Sequence, residues 1–341
     1  MSAGANVEMP SEPAFVANHS SNGQPHQLTR QPLAMETVNC CLCQRNDSDP
    51  VAVGQDFEYR TSDQSFLAVR CRSCSLIYLD PRPTAAELGR IYPDNYHAFD
   101  FDAEQFGLVH TVRSRLEARR MLRAGRGLPA NARIVDVGCG DGFHLDLLGK
   151  YGPKGWILSG VDTDARAVAA AQGKGLDVSL STIEDAAIEP GSIDMAICIQ
   201  TIEHVGDPVA LLHRIAQLLA PGGRLYLITD NTGSVDFRLA KGSHWGGYHF
   251  PRHWNLFNKH SMRTLAGLAE LDVEHLGTTV SPVNWTYTVR NWLDDWGAPK
   301  WLVRQFSLET APSLAVFTVV DSVMTSIGRG ALLRVILRRP K

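Results

Sequence analysis

RIVDVGCGDGFHLDLL (Arg133–Leu148) is the stretch whose reading decides the rest of the chain. Its opening run of valine and isoleucine reads as a strand, and glycines at 138, 140 and 142 read as a tight loop. Leu145, Leu147 and Leu148 then begin an amphipathic helix. A strand, a glycine loop and a helix in that order let backbone pass close under a nucleotide-like ligand. The spacing is not the G-x-G-x-x-G of dinucleotide folds, and no G-x-x-x-x-G-K-[ST] cradle for phosphates stands here. Charge narrows the ligand further. Asp136 lies just before the first glycine and Asp141 lies inside the loop, a pair that repels pyrophosphate and attracts an ammonium or sulfonium.

Working outward, the runs RIVDVG, WILSGVD, DVSLS, IDMAICIQ and RLYLITD alternate with the helical patterns FHLDLLGKYG, ARAVAAAQGKG and VALLHRIAQLLAPGG. Apolar strands alternating with helices predict a doubly wound α/β fold, a mostly parallel sheet covered on both faces. The second strand ends in GVDTD, where Asp162 can accept both hydroxyls of a ribose. An adenosine-like ribose with a cationic amino-acid arm is the ligand so described, and S-adenosylmethionine fits it.

Taken together, VDVGCGDG, GVDTD and GSIDMAICIQTIEHVGDP resemble the motifs of class I S-adenosylmethionine-dependent methyltransferases, over Arg133 to Asn231. The resemblance implies a Rossmann-like sheet in which Asp136, Gly138 and Gly140 contact the methionine arm. It also implies that Asp162 holds the ribose with Thr163 beside it, and that Thr182 and the Ile183 backbone frame adenine. Many relatives carry an acid where Thr182 stands. In some ubiquinone-type O-methyltransferases an acid at the position of Gln200 completes a metal-binding cluster. Gln200 leaves that set incomplete and is expected to hydrogen-bond the cofactor instead.

Glu203 and His204 follow the fourth strand, at the carboxyl end where such sheets open their crevice. A histidine there suits a general base, because its pKa near neutrality matches proton removal from a hydroxyl or acidic carbon. The loop SHWGGYHFPRHWNLF (Ser243–Phe257) adds Tyr248, His249, Arg252 and His253 as acceptor-binding candidates, with His249 the strongest partner for proton transfer. Similar segments occur in methyltransferases that accompany sugar and polysaccharide assembly. The alternative is an aromatic corner in which these side chains bond backbone carbonyls. His204, with His249 or Glu203, is expected to handle the proton. Tyr92 and Tyr96 are pocket aromatics on this reading, and packing residues on the alternative one. The irregular spacing of His244, His249, His253 and His260 argues against a metal among them.

Cys40-x2-Cys43 and Cys71-x2-Cys74 have the ligand pattern of a structural four-cysteine zinc site, with Cys41 as a spare. The chain then divides into a disordered tail (1–36), a zinc-binding module (37–82), a helical linker (83–130) and a methyltransferase domain (131–341). Insertions on the substrate side are expected at 232–258 and 281–328. A capping box is expected at Thr84 and Glu87. The module resembles that of sugar C-methyltransferases, which are longer and carry a different C-terminal domain. Mixed charges favour a lid over the acceptor pocket rather than a nucleic-acid finger. APSLAVFTVVDSVMTSIG is interrupted by Asp321 and falls short of the ~20 uniformly apolar residues of a membrane span. It is expected as a helix packed on the sheet, with peripheral membrane contact near Val319 left open.

A net charge of −3 over 341 residues offers no broad basic field for nucleic acid. No charged n-region precedes an apolar run, so the expected compartment is the cytoplasm. The expected function is methyl transfer from S-adenosylmethionine to oxygen or carbon of a small polar acceptor, a sugar or a natural-product or polysaccharide intermediate. The alternatives are a quinone or phenolic O-methyltransferase, and a zinc-finger protein that methylates or binds a macromolecule. Oligomeric state is not legible.

Overall fold

The β-branched, apolar runs from Arg133 onward form one seven-stranded sheet, and those of residues 48–79 feed a smaller four-stranded one. The computed structural model describes residues 31–93, 96 and 103–341, with residues 103–113 described by backbone alone. The tail expected over residues 1–30 lies outside the described residues.

In chain order, β1 (Met35–Glu36), β2 (Ser48–Gly54), β3 (Phe66–Cys71), β4 (Ile77–Leu79) and β5 (Arg82–Pro83) precede α1 (Leu88–Ile91) and α2 (Ala103–Ala124). The alternating core follows: β6 (Arg133–Val137), α3 (Phe143–Tyr151), β7 (Ile157–Asp162), α4 (Ala165–Gly173), β8 (Val178–Leu180), β9 (Ile193–Ile199), α5 (Pro208–Leu218) and β10 (Leu219–Asp230). Then come α6 (Val235–Ala240), β11 (Asn255–Leu256), α7 (Lys259–Leu268), β12 (Asp272–Thr279), α8 (Val283–Asp295), α9 (Lys300–Val303), α10 (Ala311–Ser326) and β13 (Leu332–Arg338).

The large sheet runs β12-β13-β10-β9-β6-β7-β8. Strands β6 to β10 pair in parallel, while β13 inserts antiparallel between β10 and β12. Alternation along each strand sends side chains to opposite faces. Val135, Val137, Cys198, Leu225 and Leu227 join one buried cluster with Leu212, Ile215 and Leu265 of α5 and α7. Ile134, Met195, Ile197, Tyr226 and Ile228 join another with Met121 of α2 and Leu147 of α3. Covered on both faces, the sheet is the expected doubly wound, Rossmann-like one. Its parallel strands all end on the edge where Asp136, Asp162, Gln200 and Asp230 stand.

Several boundaries differ from expectation for physical reasons. Residues 31–36 are not tail-like: Leu33 is buried, and β1 pairs with β5. The cysteine-bearing segment is not separate. β11 adds to its sheet in the order β11-β4-β3-β2, and Val69, Leu76 and Tyr78 share a core with Ile202 and Phe257. A segment this short buries too little apolar surface alone and borrows its core from its neighbour. The capping box at Thr84 does not form. Glu87 instead accepts from the Ala34 amide at 3.0 Å and pairs with Arg90 at 2.7 Å. α5 starts on Asp207, whose carboxylate accepts from the Val209 and Ala210 amides, but it stops at Leu218, short of the expected Gly223. Pro221, Gly222 and Gly223 cannot extend a helix and give a strand irregularity instead. α10 leans on α8, through the stacked rings of Trp285 and Phe317 at 6.1 Å, and leaves Val316, Val319, Val323 and Ile327 exposed. Among the described residues no helix is long and apolar enough to cross a membrane.

Candidate active site

The glycine loop after β6 turns three times through the left-handed region, with φ of 70° at Gly138, 54° at Gly140 and 78° at Gly142. A Cβ on Gly138 would lie 2.5 Å from Thr201 Oγ1, so the loops after β6 and β9 touch only because that side chain is absent. Thr201 fastens the contact by donating to the Val137 carbonyl at 3.2 Å.

Asp136 is 1% exposed, and neither of its carboxylate oxygens has a hydrogen-bond partner. The nearest cation-forming group is His144 Nδ1 at 3.6 Å. A buried carboxylate left unsatisfied is costly, and an ammonium group offsets that cost. Asp162 accepts from the Gly140 amide through Oδ2 and from the Asp164 amide through Oδ1, both at 2.8 Å. Burial pushes its carboxyl up, while those amides pull it down. Orphaned acid, glycine loop and terminal acid fit the methionine arm and ribose of S-adenosylmethionine.

Other expected cofactor contacts are placed less directly. Thr163 is exposed beside Asp162. The Thr182 hydroxyl donates to Asp185 at 3.0 Å, and the Ile183 carbonyl accepts from Arg214 at 3.3 Å, so both polar groups are already engaged. Gln200 sits in the left-handed region at φ 51°, and its backbone amide donates to the Ile228 carbonyl at 2.9 Å.

On the acceptor side the fold gathers a cluster from four distant segments. His204 and His253 stand with ring centroids 4.6 Å apart, and His249 and His253 at 4.9 Å. Tyr92 Oη lies 2.8 Å from His204 Nδ1, which also meets the Arg252 carbonyl at 3.2 Å. Tyr96 Oη lies 3.4 Å from His249 Nε2. His253 Nδ1 donates to the Gly247 carbonyl at 2.9 Å and stands 3.3 Å from Asp230. Burial, reinforced by His249, pushes the His204 imidazole down to about 3; burial and the other two histidines push His253 well down too. Both rings are held toward the neutral form, and the burial that does so also disfavours their protonation. Burial raises the Asp230 carboxyl to about 7 despite the donated amide of Asn284 at 2.6 Å.

Three of the expected acceptor-side residues are buried and hydrogen-bonded within the chain. Glu203 is 0% exposed, its Oε2 accepts from Thr229 at 2.9 Å, and burial next to Asp230 holds its carboxyl well above the usual range. Its backbone carbonyl fixes the Trp254 and Asn255 amides. Arg252 is fully buried and forks onto Asp56 at 3.1 and 2.9 Å, with further bonds to the Ile91 and Phe250 carbonyls. The buried Tyr248 donates its hydroxyl to the Lys241 carbonyl at 2.7 Å. The aromatic-corner alternative thus describes Tyr248 and Arg252, while His249 keeps a ring nitrogen facing Tyr96.

Residues that sequence reasoning missed come from the loop between β2 and β3. Asp56 takes the Tyr59 amide and the Thr61 amide and hydroxyl, which turns the loop, and binds Arg252. Burial raises its carboxyl, but the Arg252 guanidinium and Thr61 outweigh that and leave it at about 2. Glu58 then lies 2.9 Å from His249 Nδ1. The one signal available was the length of the spacer between the cysteine pairs, since long loops in compact domains are usually functional.

The cysteine pairs form two matching turns. Cys40 N donates to Arg45 O and Gln44 N to Cys40 O, just as Cys71 N donates to Leu76 O and Ser75 N to Cys71 O. Gln44 and Ser75 both take positive φ, 59° and 63°. The Sγ atoms of Cys40, Cys43, Cys71 and Cys74 lie within 4.8 Å of one another. Zn–S bonds of about 2.3 Å put tetrahedral sulfurs about 3.8 Å apart, so the set fits zinc. The spare Cys41 points elsewhere, donating to Asn255 at 3.3 Å.

Residues 108–276 match the methyltransferase domain family. The ubiquinone biosynthesis O-methyltransferase of Xanthomonas euvesicatoria pv. vesicatoria (strain 85-10) is 36% identical over 118 residues, which are 33% of this chain and 48% of the relative. The enzyme of the same name from Xanthomonas campestris pv. campestris (strain B100) is 31% identical over 175 residues, covering 47% of this chain and 70% of the relative. The match thus spans about half the length of the first relative. A solved geranyl diphosphate C-methyltransferase from Streptomyces coelicolor A3(2), in complex with Mg2+, geranyl diphosphate and S-adenosyl-L-homocysteine, aligns with 75% of this chain and 89% of its own at 14% identity and a TM-score of 0.48. With a parallel sheet, a glycine loop and an acid ending each of its first two strands, the chain belongs to the S-adenosylmethionine-dependent methyltransferase family.

Proposed function

We propose that this protein transfers a methyl group from S-adenosylmethionine to a small acceptor whose reacting atom loses a proton, a hydroxyl oxygen or an acidic carbon. The observation that carries this reading is the placement of two unlike sites on one sheet edge. An unsatisfied Asp136 stands near the end of β6, and a cluster of three histidines stands past the ends of the adjacent β9 and β10.

Asp136 would take the ammonium of the methionine arm, Gly138 and Gly140 would let the backbone approach it, and Asp162 would face the ribose, with Thr163 and Ile183 at the margins. When bound, S-adenosylmethionine supplies an electrophilic methyl group on a sulfonium. The chain aligns the acceptor in line with that group and removes its proton. His249 is the proton acceptor in this reading, with His204 behind it through the Tyr92–Tyr96 pair, whose rings are 5.0 Å apart. His253 shapes the pocket. Cys40, Cys43, Cys71 and Cys74 would hold a structural zinc, so the N-terminal module acts as a fixed wall of the acceptor site. A sugar or polysaccharide intermediate is the acceptor class that the polar cluster of His204, His249 and His253 favours.

A second reading, methylation of a phenolic or quinone-precursor hydroxyl, is favoured by the names of the two Xanthomonas relatives. One experiment separates them. Purified protein is assayed for zinc, titrated calorimetrically with S-adenosylmethionine and with NAD, and then supplied with nucleotide sugars or with catechol-type phenols while S-adenosylhomocysteine is followed. Binding of S-adenosylmethionine alone and turnover with one class supports that reading. Binding of NAD, or of neither, sinks the whole proposal.

A further inference from the structure

We infer that Glu58, on the loop between β2 and β3, is a positioning residue that sets which ring nitrogen of His249 is free to take the acceptor's proton. The inference rests on the proposed methyl transfer and adds to it a part for the N-terminal module.

Glu58 and His249 lie 191 positions apart in the sequence, yet their side chains are both nearly enclosed and Glu58 Oε1 is 2.9 Å from Nδ1. Two features make the approach deliberate. Arg252 and Asp56, on the same two segments, form a fully buried forked ion pair, which fixes one loop against the other. His249 itself stands at φ 41°, ψ 44°, a backbone region that a histidine leaves unless its surroundings hold it there. Around the ring are Tyr59, edge-on at 6.0 Å, and Tyr96, His204 and His253, none of them an anion. The Arg252 guanidinium is taken up by Asp56 and by the Tyr59 ring face at 4.5 Å.

Among the described residues, Glu58 is the carboxylate that meets the ring, and it does so at Nδ1. Nδ1–H donates to Glu58, and the lone pair is left on Nε2, on the side of Tyr96. In the transfer, the acceptor's O–H or C–H bond breaks and its proton passes to Nε2. The freed electron pair forms the bond to the methyl carbon, and the pair of the breaking C–S bond stays on sulfur. Glu58, 2.9 Å from Nδ1, steadies the imidazolium that results.

The test uses the full-length protein with 15N-labelled histidine, the His249 ring being assigned by its loss in His249→Gln. Ring nitrogen shifts report the tautomer directly. The expected result is Nδ1–H in the wild type, and in Glu58→Gln a shift toward Nε2–H, because the new amide can donate to Nδ1. With the acceptor class that turns over, Glu58→Gln should lower kcat about 10-fold or more and leave the KM for S-adenosylmethionine within about twofold. Asp63→Asn, an exposed change on the same loop, should alter neither. A wild-type ring protonated on Nε2, or a Glu58→Gln protein with the wild-type tautomer and kcat, overturns the inference. Should Glu58→Gln fail to fold, the wild-type spectrum alone still decides. Should no acceptor turn over, the functional proposal falls while the spectrum still tests the Glu58–His249 pairing.

Discussion

The cofactor edge and the acceptor cluster share one sheet edge but are assembled in opposite ways. Every contact that shapes the cofactor edge is local: Gly140 reaches Asp162 across 22 positions, and Thr201 reaches Val137 across 64. The acceptor cluster is tied by Tyr92–His204, 112 positions apart, Tyr96–His249, 153 apart, and Arg252–Asp56, 196 apart. The proposed cofactor edge is thus tied within residues 137–201, whereas the proposed acceptor site draws on segments from Asp56 to His253. The two halves should fail separately.

The heaviest test of that separation is the zinc. Structural zinc contributes about 10 kcal/mol or more to small thiolate modules. A strong chelator should therefore strip hydrogen-exchange protection from residues 37–82 and abolish turnover, while the thermal midpoint falls. Unchanged protection would mean that the thiols hold no metal. Next in size is Arg252→Met. It strands the buried Asp56 carboxylate and should lower unfolding free energy by about 3–5 kcal/mol, with Asp56→Leu in the same protein restoring part of the loss. Additive losses in the double variant would break the ion-pair account. Asp136→Asn acts on the other half. It should weaken S-adenosylmethionine binding about 10- to 100-fold by calorimetry without changing the histidine spectrum. A disturbed histidine spectrum would show the two halves to be coupled.

Acid–base behaviour sharpens the comparison more gently. The Asp230 carboxyl rises from the ordinary 3.8 to about 7 on folding, so the stability tied to its neutral form is complete below about 4 and lost as pH rises through 7. Asp230→Asn should therefore gain on the wild type in chemical denaturation between pH 4 and pH 7. A constant gap across that window would refute the burial argument. The smallest effect belongs to Thr182→Ala, whose hydroxyl serves Asp185. S-adenosylmethionine affinity should change less than about twofold, and a larger loss would restore Thr182 to the adenine contact.

How much of this was legible follows the same division. The strand alternation, the glycine loop, Asp136 and Asp162 could be read from spacing, because period and turn chemistry are local properties. His204 and His249 could be nominated by residue type and by their place after parallel strands. Glu203, Tyr248 and Arg252 were nominated on the same grounds, and all three are buried and hydrogen-bonded to the chain. No spacing announces that an arginine will meet an aspartate 196 positions upstream. Asp56 and Glu58 were illegible for that reason, and so was the addition of β11 to the sheet of β2, β3 and β4.

That two-residue strand has a consequence for how such a protein can change over time. Asn255 and Leu256 close the N-terminal sheet and also end the loop that carries His249 and Arg252. A substitution that suits a new acceptor on one segment is therefore judged at once by its fit to the other. The N-terminal eighty residues cannot be exchanged as a cassette, and a chain begun at residue 131 would lay open Ile202 and Phe257 to water. Selectivity in this architecture is inherited as a matched pair of segments, not as a detachable part.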